Sequence, residues 1–230
     1  MREGGRDVEQ RSCPGIGTSR AAVESRYCVG MAVPLASVNL RCNPFGELTL
    51  AERRSLAVGD FADLAAELLV PGTAIQVRGD CGRGKSSHLH GLAAHLPQAR
   101  YSRVDHGGPV CAGGIYLMDE ADHFGPLRRW WYLRLAESVA VATHADMTPF
   151  LRRCGYRVVD VPVGQVSAAH LRQIVGSRLE WARLSSGVLP EVSDEHLQHL
   201  LAEFGDDIRA VEGALYDWIV AGAPLFVETG

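Results

Sequence analysis

The stretch Thr73-Ala74-Ile75-Gln76-Val77-Arg78-Gly79-Asp80-Cys81-Gly82-Arg83-Gly84-Lys85-Ser86-Ser87 decides how this chain folds. Pro71-Gly72 closes the helical pattern before it, and residues 73–77 are mostly apolar, so they are expected to form a buried strand. Residues 86–96 then alternate leucine and alanine at helical spacing. Between strand and helix, Gly79 to Ser86 satisfies the pattern G-x-x-x-x-G-K-[ST], which carries weight only in that setting. Lys85 is the one lysine of the chain, and all other Lys/Arg positions are arginine.

Phosphate chemistry explains a lysine at that place. A compact ammonium on a flexible stem can reach across a loop to phosphate oxygens, whereas a planar guanidinium favours forked pairing. Gly79, Gly82 and Gly84 let the backbone N–H groups of the loop, through Asp80, Cys81 and Arg83, converge on those oxygens. The N-terminus of the next helix, with Ser87 in its first turn, adds positive partial charge. Ser86 is expected to offer its hydroxyl to Mg²⁺.

A second constellation matches the first. Ile115-Tyr116-Leu117-Met118 is a strand pattern that ends in Asp119-Glu120. A buried strand delivers Asp119 to the sheet edge, where it can hold Mg²⁺ through water, and sets Glu120 beside it to orient or deprotonate an attacking water. Thr143 ends the following strand as a candidate sensor of the γ-phosphate, with His144 as its substitute. Arg152 and Arg153 close a short helix and are candidates for a finger that reaches a neighbouring subunit. Arg209 falls in the first turn of the last helix, where its charge opposes the helix dipole; a bound anion or an ion pair with Asp206 or Glu212 would each account for it.

The rest of the chain sets the frame. With 230 residues and 47% hydrophobic content, one α/β domain with a small appendage is expected. Residues 1–30 have little apolar periodicity and are expected to be a disordered extension, with Met31 a candidate start. Residues 31–165 alternate helical and strand patterns, the signature of a parallel sheet covered on both faces. Thr49 with Glu52 forms a capping box for a helix through Ser55, and further helices are expected at 61–69, 127–138 and 148–154. Strands are expected at 100–104, 114–118, 139–143 and 156–163. Residues 166–222 hold three helical patterns, at 167–184, 193–204 and 206–221, and 223–230 form a tail.

A net charge of −4 argues against a globally basic nucleic-acid binder and leaves DNA open only through a local arginine patch. Six cysteines without a C-x-x-C pair indicate neither a zinc ribbon nor a disulfide framework. No apolar run reaches the length of a membrane span and no secretory signal opens the chain, so a soluble cytoplasmic protein is expected.

These motifs together resemble the AAA+ ATPases: a phosphate loop, a strand ending in Asp-Glu, a polar strand end, paired arginines before the fifth strand, and a three-helix lid whose last turn is Gly205-Asp206-Asp207-Ile208-Arg209. The resemblance spans about residues 43–221. It implies a five-stranded parallel core, a helical lid, Mg²⁺-dependent ATP hydrolysis at a subunit interface, and homo-oligomers that act on a protein or protein–DNA partner. It also implies that residues 43–45 lie near the adenine, with Phe45 or an aliphatic neighbour on the base. The alternatives are a nucleotide or small-molecule kinase and a non-hydrolysing scaffold ordered by ATP. The string Asp119-Glu120-Ala121-Asp122 does not make a helicase, because such enzymes resemble two tandem sheet domains and this chain has room for one.

Overall fold

A computed structural model of the chain describes residues 34–103, 112–221 and 226–227. The expected extension at 1–30, the candidate start at Met31 and most of the expected tail lie outside the described residues.

Five strands form one sheet: β1 (Thr73–Arg78), β2 (Arg100–Arg103), β3 (Ile115–Asp119), β4 (Ser138–Thr143) and β5 (Arg157–Pro162). Every pairing is parallel, and the order across the sheet is β2-β3-β4-β1-β5. The strand feeding the phosphate loop is therefore interior, between β4 and β5, and β4 separates it from the strand ending in Asp119. Both β1 and β4 are buried nearly throughout, as continuous apolar runs in a parallel sheet should be.

Strand alternation sends side chains to two cores. Ile75, Val77, Leu117, Ala140 and Ala142 face α2 (Ala62–Leu68) and α3 (Lys85–His95), packing on Leu68, Leu89 and Leu92. Ala74, Tyr116, Met118, Val139 and Val141 face α4 (Pro126–Leu135) and α5 (Thr148–Arg153), packing on Tyr132, Leu133 and Leu151. Gln76 is the polar exception on β1. Its amide donates to Asp160 at 2.7 Å and Asp146 at 3.1 Å, and its carbonyl accepts from the Met147 backbone at 2.6 Å. A fully buried amide thus ties down the loop that follows β4.

Before the sheet, α1 (Leu50–Ser55) starts with the expected capping box: Thr49 accepts from the Glu52 backbone and Glu52 accepts from Thr49 in return. After it come α6 (Ala168–Trp181), α7 (Asp194–Phe204) and α8 (Ile208–Ala221). Ser167 and Ser193 cap the first two. These helices share a third core built on Leu171, Val175, Leu197, Leu200, Val211 and Leu215, and Leu40 and Phe45 from the N-terminal side pack into it. Two boundaries differ from the sequence expectation by more than a residue or two. The helix expected at 167–184 ends at Trp181, because Arg183 pairs as a bridge with Leu40 and the Leu184 N–H donates to the Asn39 carbonyl. The helix expected to reach 138 stops at Leu135, because Ser138 opens β4 and its hydroxyl donates to the Val70 carbonyl.

Candidate functional site

The site lies where β1, β3 and β4 end. β1 runs into the loop at Gly79, and α3 begins at Lys85. Gly82 and Gly84 have φ of 80° and 86°, in the left-handed region that favours glycine. At Gly82 a Cβ would also fall 2.1 Å from an Asp207 carboxylate oxygen, so the lid closes tightly over the loop at that point.

Lys85 is 7% exposed. Its ammonium donates to the Gly79 and Asp80 carbonyls, each at 2.8 Å, and both ring nitrogens of His144 lie 3.4 Å away. Burial lowers its pKa, opposed by the charges of Cys81, Asp122, Asp119 and Asp80. One helical position on, the Ser86 hydroxyl donates to Asp119 Oδ1 at 3.1 Å. A hydroxyl and a buried carboxylate in contact form a hard-oxygen donor pair of the kind Mg²⁺ takes.

Asp119 meets a partner that the sequence did not reveal. The Tyr101 hydroxyl donates to its Oδ2 at 2.7 Å. Burial, and then the charge of Asp119, hold that phenol protonated far above its ordinary range. Two residues along the same strand, Arg103 donates to Glu120 Oε1 at 3.0 Å, and this hydrogen bond is the main cause of its raised pKa. Glu120 itself is left-handed, with φ 55° and ψ 44°, a strained position for a side-chain-bearing residue. A single turn of 3₁₀ helix, Ala121–His123, follows it.

The two candidates at the end of β4 part company. Thr143 is fully buried and its hydroxyl donates to the Ala145 carbonyl at 2.9 Å. His144 is the side chain that reaches Lys85, with its backbone N–H on Asp122 Oδ2 at 3.1 Å and its ring stacked on His123.

The lid meets the loop directly. The Ile208 N–H donates to the Gly82 carbonyl at 3.1 Å, and Arg83 pairs with Asp206. Glu212 pairs with Arg178 at 2.6 Å, so both acids that could have neutralised Arg209 are engaged elsewhere. Arg209 instead extends to within 3.8 Å of the Cys81 sulfur, over the loop. Between loop, lid and the segment 45–48 lies a cavity of about 470 Å³, within the range of small-molecule sites. Gly84, Ser86 and Ser87 of the loop and α3, Arg209 and Tyr216 of the lid, and Phe45 are among the residues that line it.

Arg152 and Arg153 are not at this site. They are exposed at the end of α5, and β5 then starts opposite Thr73, the first residue of β1. The six residues of β1 put about 20 Å between that edge and the loop.

Fold and loop together define the class: a three-layer α/β/α phosphate-loop protein with a helical lid, the architecture that the AAA+ resemblance implies. No protein-family model matches the chain, and no curated protein does. Among solved structures it is similar to Cdc6p from Pyrobaculum aerophilum, at 13% identity over 84% of this chain and 66% of that one, with a TM-score of 0.49. It is also similar to the replication initiator DnaA bound to AMPPCP and single-stranded DNA, at 14% identity over 74% of this chain and 65% of that one, with a TM-score of 0.47. A third is the Thermotoga maritima RuvB Holliday junction branch migration motor, at 12% identity over 74% and 60%, with a TM-score of 0.47. The chain thus spans somewhat under two thirds of the DnaA and RuvB structures it matches. At such identities and scores these likenesses carry no functional argument.

Proposed function

We propose that this chain binds ATP with Mg²⁺ between its sheet edge and its lid and hydrolyses it slowly, as an AAA+-like switch acting on a protein or protein–DNA partner. The observation that carries the reading is the convergence of Lys85, Ser86, Asp119 and Glu120 where β1 and β3 end, with Ser86 bonded to Asp119 and also lining the cavity.

In this reading the N–H groups of the loop and of the first turn of α3 bind the β- and γ-phosphates. Lys85 exchanges its two carbonyl acceptors for phosphate oxygens, a gain because charged acceptors make stronger bonds than neutral ones. Ser86 and Asp119 would hold Mg²⁺, which neutralises phosphate charge when bound. Tyr101 keeps Oδ2 of Asp119 occupied and so fixes the carboxylate with Oδ1 toward Ser86. Glu120 orients the attacking water and takes its proton, and His144 stands at the γ-phosphate side of Lys85, taking the sensor role in place of the inward-turned Thr143. Arg209 contributes positive charge from the lid, and Arg152 or Arg153 serves the site of a neighbouring subunit. The adenine packs toward 45–48 and Tyr216.

Purified protein should bind a fluorescent ATP analogue in the presence of Mg²⁺, and Lys85→Ala should lose that binding. Glu120→Gln should keep binding and lose turnover by a factor of about 100, the usual scale for a general base. Equal binding in Lys85→Ala, or unchanged turnover in Glu120→Gln, would sink the assignment. The grip of Arg103 on Glu120 favours a second reading, a scaffold ordered by ATP without turnover. Phosphate release at background across all protein concentrations would select it.

A further inference from the structure

The helix that leaves the acidic side of the site carries a surface that ATP chemistry does not use. Its residues, Pro126-Leu127-Arg128-Arg129-Trp130-Trp131-Tyr132-Leu133-Arg134-Leu135, include no acid. Tyr132 and Leu133 turn into the core, while Leu127, Trp130 and Trp131 remain 78, 42 and 51% exposed. Two neighbouring tryptophans left half in water form a patch of the kind that marks an interaction site. Their ring centroids are 6.2 Å apart.

Charge specifies the occupant. Arg128 lies over Phe124, Arg129 over Phe150 and Arg134 over Trp130, at 5.1–5.9 Å from the ring centroids. Among the described residues no carboxylate forms an ion pair with any of the three. Arg129 Nε is buried without a hydrogen-bond partner. Phe150 belongs to α5, so the exposed Arg152 and Arg153 of that helix extend the same positive band. In a chain of net charge −4 this band is a local exception.

We infer that this face of α4 binds single-stranded nucleic acid, with Trp130 and Trp131 as stacking platforms and the exposed Arg128 and Arg134 facing the phosphates. Exposed aromatic rings offer a surface to any unpaired base, and arginines interleaved with them supply the sequence-independent attraction to a polyanion. A duplex hides its base faces in its own stack. Little sequence preference is expected, because stacking on an aromatic face accepts any base and α4 carries no Asn, Gln or acidic side chain. The inference does not depend on ATP turnover, since no α4 residue belongs to the proposed catalytic set.

The test is fluorescence anisotropy of labelled oligothymidylate and oligouridylate titrated with the full chain at low salt, with and without Mg·ATP. Binding should weaken steeply as salt rises and should quench tryptophan emission, and a duplex of equal length should bind less well. Trp130→Ala combined with Trp131→Ala should weaken binding at least tenfold, whereas the corresponding Trp→Phe pair retains most of it. Both positions are exposed, and an unchanged circular dichroism melt would confirm that the fold survives. Preference between the two oligomers would distinguish DNA from RNA as the source of the strand. Absence of binding to both at low salt would overturn the proposal. So would undiminished binding in the double alanine variant, or light scattering in which that variant loses self-association while binding of the oligomers stays as before, which would make the face a contact between copies of this chain.

Discussion

His90 shows what burial beside this site costs a single side chain. It is 6% exposed and stacked on Tyr101 at 5.0 Å, and burial pushes its pKa down to about 4. An unfolded histidine titrates near 6.5, so between those values the unfolded chain holds the proton and the native one does not. Stability is therefore untouched above roughly pH 6.5 and falls as pH drops toward 4, by on the order of 2–3 kcal/mol. Urea midpoints measured near pH 7 and near pH 4.5 should differ less in His90→Phe than in the parent. His88, lowered by burial as well, keeps a residual slope. An unchanged slope in His90→Phe would mean that other groups set the acid limit. At this scale the sequence was informative where chemistry and local pattern coincide. Lys85, Ser86, Asp119 and Glu120 each sit at a position that the strand or loop pattern itself marks. Tyr101 and Arg103 carry no such mark, because their roles depend on β2 lying beside β3, and Arg103 stands opposite Asp119 only in that register.

Elements are tied to one another by a few polar contacts whose loss should be measurable. Arg178 on α6 places Nε at 3.1 Å and Nη2 at 2.6 Å from one Glu212 oxygen on α8, and the arginine is 9% exposed. Removing one partner of such a pair strands the other charge out of water. Glu212→Ala should destabilise the chain by on the order of 2–3 kcal/mol in urea unfolding, and the apolar pair Arg178→Met with Glu212→Leu should cost less than either single change. Additive losses in the double variant would show that the two residues act independently. Most elements were legible beforehand because amphipathic helices and buried strands differ in period. The strand order was not, since each strand is equally apolar whichever neighbour it takes. Nor was the contact of lid and loop through Arg83, Asp206 and Ile208, whose partners are far apart in the chain.

For the whole molecule the decisive geometry is the distance of Arg152 and Arg153 from their own phosphate loop. They stand at the start of β5, at the opposite sheet edge from Lys85, and α5 is too short to bring them across. If one of them stabilises charge on a transferring phosphoryl group, it does so in a second copy of the chain. Turnover per subunit should then rise with protein concentration. Lys85→Ala has a dead loop and intact arginines, whereas the double variant Arg152→Ala with Arg153→Ala has an intact loop and no finger. Each alone should be inactive, but a mixture should regain turnover, because one kind of interface then joins a working loop to a working arginine. Phosphate release assayed across mixing ratios should peak near equal amounts. A flat, additive profile, or full activity in the double arginine variant, would remove both residues from the mechanism and leave them to the positive band shared with α4.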